Sequence, residues 1–337
     1  MGISQGVRAG YEHCCRDREN MTLLGINWCN SNVQASEAFR IFKAGGFECC
    51  VVLSTAGCAL PRVIRRTYPT ATIIARLFRG GPDLPSVADA VSDWRDYVRD
   101  TQDVVDLYQV DNEPDQNYPH VLPEDFCMWW VAVTQKLQEA SSKRLIVGFP
   151  MPSIQGAGSV DYMKRCSVGI DAADWLAERA YWQESWQMQD VNWGRRFQIA
   201  RIIAPGKPIH LGEYGCSAEL EPIESARQYR EFVGGLPSYI GSANAFIMAG
   251  GTDDWRLFWI DRDMAELMRA KEEPMPELVL GFKVLAERLV ADGHTVLAVA
   301  DEISIDHASL QRVLIDGEPN LFAWQDGQES VVVYSLV

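Results

Sequence analysis

The stretch Leu107-Tyr108-Gln109-Val110-Asp111-Asn112-Glu113-Pro114 decides the fold of this chain. A short run of apolar and β-prone residues closed by a proline is typical of a buried strand. Pro114 has no N–H for a further strand hydrogen bond and biases Glu113 toward an extended backbone. The sequence therefore predicts a strand that carries Asn112 and Glu113 side by side at its carboxyl end.

A second stretch, Lys207-Pro208-Ile209-His210-Leu211-Gly212-Glu213-Tyr214-Gly215, repeats this arrangement. Its apolar segment predicts another short strand, which brings Glu213 to its own carboxyl end. A solitary glutamate is usually an exposed surface residue. Two glutamates at two strand ends, beside Asn112 and Tyr214, instead favour a functional pair.

Strand and helix signals alternate through most of the chain, which is typical of a parallel sheet with crossover helices. No G-x-G-x-x-G motif follows a predicted strand and no P-loop is present, so nothing indicates a nucleotide site. Eight strand–helix units fit a closed barrel better than an open sheet. We therefore predict an α/β fold, a (β/α)8 TIM barrel. The predicted strands cover residues 22–28, 47–53, 71–78, the stretch at 107–114, 145–149, 174–181, 209–214 and 243–249.

The pattern changes at both ends of the chain. Residues 1–20 form a polar lead-in, and the barrel is predicted over residues 21–290, ending in a helix at 275–290. Beyond it, two apolar segments flank Asp326-Gly327, a dipeptide typical of a β-hairpin turn. Residues 291–337 are therefore predicted to be a small β-containing extension packed on the barrel.

The composition limits the partners of the protein. The chain of 337 residues has a formal net charge of -15, which argues against nucleic acid or an anionic membrane as the main partner. No uncharged apolar stretch reaches the roughly 18 residues of a membrane span. An acidic surface remains compatible with a neutral substrate such as a sugar, and nothing in the sequence predicts the oligomeric state.

The nine cysteines do not suit a disulfide framework, because their number is odd and two pairs are adjacent, Cys14-Cys15 and Cys49-Cys50. The N-terminus also lacks the apolar core of a signal peptide. We expect reduced thiols in a cytoplasmic protein, or in a secreted one whose signal has been removed. The five histidines show no spacing typical of metal ligands, so we expect no metal.

Asn112-Glu113-Pro114 and Gly212-Glu213-Tyr214-Gly215, at the ends of the fourth and seventh predicted strands, resemble the paired motifs of clan A glycoside hydrolases. These are retaining enzymes built on (β/α)8 barrels. The resemblance implies that Glu113 is the general acid/base, that Glu213 is the nucleophile and that Asn112 binds the sugar 2-hydroxyl. It also implies an oligo- or polysaccharide substrate with β-linkages and no cofactor, since two carboxylates suffice for this chemistry.

Four further residues are candidates for substrate binding. Arg76 is a charge within an apolar strand and needs a partner, either Glu213 or another acid at the barrel rim. Tyr181 resembles the aromatic residue that contacts the nucleophile in this clan, although a packed core tyrosine is an equal alternative. Trp28 is either a sugar platform or a core residue. The clan usually has a tryptophan at the end of strand eight, where this chain has Phe246-Ile247-Met248-Ala249-Gly250-Gly251, so Trp255 is expected to reach in from the next loop.

Two other functions remain open. The altered end of strand eight favours a non-catalytic barrel that binds glycans. A transglycosylase would use the same residues with a sugar acceptor in place of water.

Overall fold

The computed structural model describes residues 22–28, 35–153, 157–249, 253–269, 296–305, 308–315, 318–324 and 332–335. The chain divides into two compact units, Met1–Arg269 and Ala270–Val337. The predicted lead-in, the predicted helix at 275–290 and the boundary at 290 lie outside the described residues, so these stay predictions. So does the packing of the extension on the barrel.

Eight parallel strands close into a barrel in sequence order, with the first strand paired to the eighth, and this confirms the predicted (β/α)8 fold. Each strand is buried along nearly its whole length because helices cover its outer face. The strands are β1 Leu23–Trp28, β2 Cys49–Leu53, β3 Thr72–Leu77, β4 Leu107–Val110, β5 Val147–Pro150, β6 Trp175–Trp182, β7 Ile209–Cys216 and β8 Ile240–Ala245.

The helices follow the strands, and their ends obey local capping chemistry. The Ser86 hydroxyl accepts a hydrogen bond of 3.1 Å from the N–H of Asp89, which caps the helix Val87–Thr101. Pro123 begins the helix Pro123–Ala140, where its missing N–H costs nothing. The helices are α1 Ala35–Ala44, α2 Ala59–Thr67, α3 Val87–Thr101, α4 Pro114–Asn117, α5 Pro123–Ala140, α6 Ala157–Arg165, α7 Ser167–Ala172, α8 Phe197–Ile203, α9 Pro222–Gly234 and α10 Arg262–Arg269. None of the helices in the described part of the chain is both long and apolar enough to span a membrane.

Two layers of apolar side chains hold the barrel together. The larger layer lies between strands and helices, where Trp182, Tyr214 and Phe232 pack together. The smaller one lies inside the barrel and includes Ile74 and Trp175. Because packed side chains fill this interior, a substrate can enter only at a rim.

The end of strand eight differs from the prediction. β8 stops at Ala245 instead of residue 249, and the peptide bond between Phe246 and Ile247 is cis. The chain then continues to a short 3-10 helix, Asp253–Phe258.

The second unit contains a four-stranded antiparallel sheet in the order β12-β11-β10-β9. The pairing of β11 with β12, in which Asn320 faces Ser335, confirms the predicted hairpin, although its Asp326-Gly327 turn lies outside the described residues. The strands are β9 Val296–Ile305, β10 Ala308–Ile315, β11 Glu318–Trp324 and β12 Val332–Ser335.

Candidate active site

A cavity of about 370 Å³ opens among residues in the carboxyl-terminal halves of the strands and in the segments that follow them. Six of the seven predicted site residues line it, and Trp28 does not. The six are Arg76, Asn112, Glu113, Tyr181, Glu213 and Trp255.

Glu213 is buried at this rim and is surrounded by donors. Arg76 pairs with its Oε1 atom, and Arg179 Nε lies 3.2 Å from its Oε2 atom. The Tyr181 hydroxyl donates a hydrogen bond of 2.7 Å to the same Oε2. Burial alone raises the pKa of Glu213, but the two arginines and the tyrosine outweigh it, so the pKa lies below its ordinary value. Glu213 is therefore held as a carboxylate.

The backbone of Glu113 is left-handed, with φ 39° and ψ 65°, so the extended conformation expected before Pro114 is wrong. The chain turns at once into the one-turn helix α4, whose N–H groups at Gln116 and Asn117 donate to the Glu113 carbonyl over 3.0 and 2.9 Å. Asp111 also has a positive φ, of 69°. Such conformations are costly for residues other than glycine and are concentrated at functional sites.

The carboxylate of Glu113 is less enclosed than that of Glu213, with side-chain exposures of 22% and 6%. Its Oε1 atom accepts a hydrogen bond from the Ser153 hydroxyl and lies 3.2 Å from Arg179 Nε. Its Oε2 atom accepts a hydrogen bond of 3.3 Å from Asn112 Nδ2. Glu113 therefore combines a fixed carboxylate with access to the cavity.

Ser153, which no sequence motif indicates, is itself held from two sides. Its N–H donates to Asp115 Oδ1 over 2.7 Å, and its carbonyl accepts from Arg196 Nη1 over 2.8 Å. These contacts hold Ser153 in place and so orient its hydroxyl toward Glu113.

Arg179 connects the two carboxylates. Its Nε atom lies 3.2 Å from Glu113 Oε1 and 3.2 Å from Glu213 Oε2, so these oxygens are no further apart than twice that distance. Burial lowers the pKa of Arg179, but the two carboxylates raise it more, so the guanidinium stays charged. One sequence signal marks this residue, a charge in an apolar strand two positions before Tyr181, which is the same kind of signal that marks Arg76.

The side chain of Asp111 holds the backbone of Asn112 in place. Its Oδ1 atom accepts a hydrogen bond of 2.6 Å from the N–H of Asn112, and its Oδ2 atom accepts one of 2.8 Å from the Tyr118 hydroxyl. Burial raises the pKa of Asp111 to about 7, although both hydrogen bonds and the charge of Arg179 oppose the shift. A carboxylic acid whose pKa lies near neutrality is therefore in direct contact with Asn112, next to Glu113 in the chain.

Aromatic side chains form the wall of the cavity on the side of β8. Phe246, the first residue after β8, packs edge-on against Trp255, with ring centroids 5.3 Å apart. Trp255 lines the cavity and keeps 47% of its surface exposed, whereas Phe246 keeps 8%. Phe246 thus follows the last residue of β8, and Trp255 supplies an exposed indole from the 3-10 helix Asp253–Phe258.

Trp28 is a core residue. It is 4% exposed, and its ring packs edge-on against Phe39 with centroids 5.1 Å apart. An indole enclosed in this way has no free face for a sugar, so the platform alternative for Trp28 does not hold.

No family model matches the chain, and no curated protein matches it. Solved structures do. An FMN-binding β-glucuronidase from Facaelibacterium prausnitzii aligns with a TM-score of 0.52 and 10% identity, over 95% of this chain and 56% of that one. A mutant β-glucuronidase 2 from Bacteroides uniformis aligns with a TM-score of 0.50 and 13% identity, over 94% and 45%. A β-mannanase from Streptomyces thermolilacinus, solved with mannohexaose, aligns with a TM-score of 0.50 and 15% identity, over 72% and 84%.

The likeness therefore supports the fold of this chain, a closed (β/α)8 barrel. The chain spans only about half the length of each glucuronidase. At these identities the likeness shows the fold alone.

Within the described residues, no group of three or more His, Cys, Asp or Glu side chains is arranged to hold a metal ion.

Proposed function

We propose that this protein is a retaining glycoside hydrolase that cleaves β-linked glycosides, with Glu213 as nucleophile and Glu113 as general acid/base. The observation that carries the proposal is the shared contact of both carboxylates with Arg179 Nε, at 3.2 Å each. This limits the separation of the two facing oxygens to twice that distance. A separation within that bound is compatible with the spacing of about 5–5.5 Å between the carboxyl groups of retaining enzymes.

The surroundings of each glutamate support its role. A nucleophile must be ionised, and the lowered pKa of Glu213 keeps it so. An acid/base must exchange protons with the leaving group and later with water, and Glu113 is the more exposed of the two. On Glu113, the Oε1 atom is bound by Arg179 and Ser153, whereas Oε2 has a contact with the neutral Asn112 amide, so we assign the mobile proton to Oε2.

Two displacements complete the reaction. In the first, Glu213 forms an ester bond to the anomeric carbon while the glycosidic C–O bond breaks, and Glu113 gives its proton to the departing oxygen. In the second, Glu113 takes a proton from water as that water attacks the anomeric carbon, and Glu213 leaves as a carboxylate. The sugar is released with its original anomeric configuration.

An oligo- or polysaccharide is the substrate that this cavity suits. Trp255 offers an exposed indole on which a sugar C–H face can stack. The Oδ1 atom of Asn112 already accepts from Arg179 and Gln109, which leaves its Nδ2 group to donate to a sugar hydroxyl as well as to Glu113.

The test uses a panel of aryl β-glycosides of glucose, mannose, xylose and glucuronic acid. Glu213→Gln should reduce turnover of the preferred glycoside by at least about a thousandfold, because it removes the nucleophile. Glu139→Gln, which removes an exposed glutamate from α5, is the matched control and should leave turnover unchanged. Undiminished turnover by Glu213→Gln would exclude the mechanism.

Azide, a small anionic nucleophile, then distinguishes the two roles. With Glu213→Ala, azide takes the place of the missing carboxylate and should give an α-glycosyl azide. With Glu113→Ala, azide attacks the glycosyl-enzyme and should give a β-glycosyl azide. The opposite pattern would reverse the assignment.

The same assays separate the alternatives. Binding of oligosaccharides without hydrolysis over days would support a non-catalytic barrel. Longer saccharide products at high acceptor concentration would support a transglycosylase.

A further inference from the structure

Arg179 differs from the other donors of the site because it contacts both glutamates through one atom. Its Nε lies 3.2 Å from Glu113 Oε1 and 3.2 Å from Glu213 Oε2. Arg76 and Tyr181, by contrast, contact Glu213. We propose that Arg179 is the shared counter-ion of both half-reactions, which balances the negative charge whichever glutamate carries it. This inference rests on the proposed function.

During the reaction one negative charge moves between Glu213 and Glu113, and the total charge of the two side chains stays the same. Before the first displacement, Glu213 is ionised and Glu113 carries a proton. Once the ester has formed and the proton has left with the departing oxygen, Glu213 is neutral and Glu113 is ionised. The second displacement returns the charge to Glu213. A cation at equal distance from both carboxylates serves each of these states equally.

The guanidinium is fixed in this central position. Nη1 donates to the Met151 carbonyl over 3.1 Å, and Nη2 donates to Asn112 Oδ1. The residue is 3% exposed, so water does not screen its charge. Arg179 therefore cannot move with the charge from one carboxylate to the other, and its equal spacing is what allows it to act in both steps.

The other groups that contact the Glu113 carboxylate are uncharged. In the described part of the chain its ion pair is with Arg179, while Ser153 and Asn112 contribute neutral donors. Without Arg179, the ionised Glu113 of the glycosyl-enzyme would lose its counter-charge, and Glu113 would release its proton less readily. The loss should be greatest when the leaving group depends on that proton.

The experiment compares two glycosides of the sugar that the wild-type protein prefers. Dinitrophenol leaves without a proton, whereas phenol needs one. For Arg179→Gln we expect kcat on the phenyl glycoside to fall at least about tenfold further than kcat on the dinitrophenyl glycoside, a part of what general acid catalysis contributes. For Arg76→Gln, which alters the surroundings of Glu213, we expect kcat to fall by similar factors on the two glycosides.

Arg179→Lys restores a positive charge and should recover part of the lost activity on the phenyl glycoside. Thermal unfolding of each variant shows whether it is folded, and the ratio of the two kcat values is independent of the folded fraction. A uniform loss for Arg179→Gln on both substrates, or no loss, would overturn the inference while leaving the proposed function intact. Absence of any glycosidase activity in the wild-type protein would instead overturn the proposed function.

Discussion

The hydroxyl of Tyr181 donates a hydrogen bond of 2.7 Å to Glu213, across the pair of strands β6 and β7. The contact depends on an irregularity in β7. Glu178 faces Leu211 while the next residue, Arg179, faces Glu213, so Gly212 is an extra residue. Leu211 belongs to the apolar layer between the strands and the helices. Side chains two positions apart in a regular strand point to the same face, so Glu213 would also face the helices. The bulge at Gly212 turns Glu213 into the cavity, as bulges near active sites often do.

Tyr181→Phe removes this hydrogen bond and keeps the ring. A hydrogen bond to a charged group contributes about 1.5–3 kcal/mol, so we expect kcat/KM to fall by about tenfold to a hundredfold. Tyr68→Phe is the matched control, because the Tyr68 hydroxyl bonds the Phe39 carbonyl over 3.0 Å and does not line the cavity. Steady-state kinetics of both variants on one aryl glycoside check the prediction. Equal effects would mean that the Tyr181 hydroxyl has no role at the nucleophile.

Arg76→Gln should move the acid limb of the pH–rate profile to higher pH. The charge of Arg76 contributes to holding the pKa of Glu213 below its ordinary value, against the opposing effect of burial. Glu213 must be ionised to attack, so activity is lost as the pH falls through its pKa. Removal of the cation raises that pKa and brings the loss to higher pH. A kcat/KM profile between pH 3 and 7 tests this, and an unchanged acid limb would contradict it.

Much of the fold could be predicted from the sequence because it depends on repeated, local signals. The Asn112-Glu113-Pro114 and Gly212-Glu213 stretches mark strand ends, and strand ends of a parallel barrel share one rim. The two glutamates are predicted on that basis, Arg76 as a charge in an apolar strand and Tyr181 by the resemblance, and all four line one cavity.

The remaining features depend on tertiary structure. The extra residue at Gly212 is defined only by the register with β6. The left-handed backbone of Glu113 arises because α4 begins directly after it, which overrides the local preference set by Pro114. The packing of Trp28 against the Phe39 ring of α1 could not be distinguished from a sugar platform, since both need an aromatic at a strand end.

Asp111 should make the protein less stable as the pH rises toward neutrality. Burial raises its pKa to about 7 in the folded state, from roughly 3.9 in an unfolded chain. The folded state therefore favours the protonated acid. Its stabilising contribution is complete below the unfolded pKa and is lost as the pH rises through about 7, by up to ~4 kcal/mol for a shift of about three units.

Asp111→Asn should remove this dependence, since an amide can keep the contacts with Asn112 and Tyr118 and does not titrate. The free energy of unfolding, measured in urea between pH 4 and 8, should decline more steeply for the wild-type protein than for this variant. Asp125→Asn, at an exposed site in the first turn of α5, controls for the loss of a carboxylate. Parallel curves for the wild-type protein and Asp111→Asn would show that Asp111 does not titrate in this range.

Trp255→Ala should weaken substrate binding without affecting the chemical step. The indole is 47% exposed and lines the cavity, so its loss removes a stacking surface but little of the core. We expect KM for an oligosaccharide to rise about tenfold, with kcat nearly unchanged, as for the loss of one aromatic contact. Trp186→Ala removes an indole that is 58% exposed and does not line the cavity, and should leave KM unchanged. Equal KM values for the two variants would exclude Trp255 from the binding surface.

Gly148→Ala should destabilise the barrel, because β5 passes directly beneath a buried indole. A Cβ atom at position 148 would lie 2.3 Å from Cε2 of Trp175, which is fully buried and cannot withdraw. Overpacking of this kind costs about 1–3 kcal/mol. The same substitution at Gly234, the last residue of α9, meets no atom within 4 Å and should leave stability unchanged or slightly increased. Urea unfolding of the two variants tests the difference, and an equal stability of both would mean that Trp175 can repack inside the barrel.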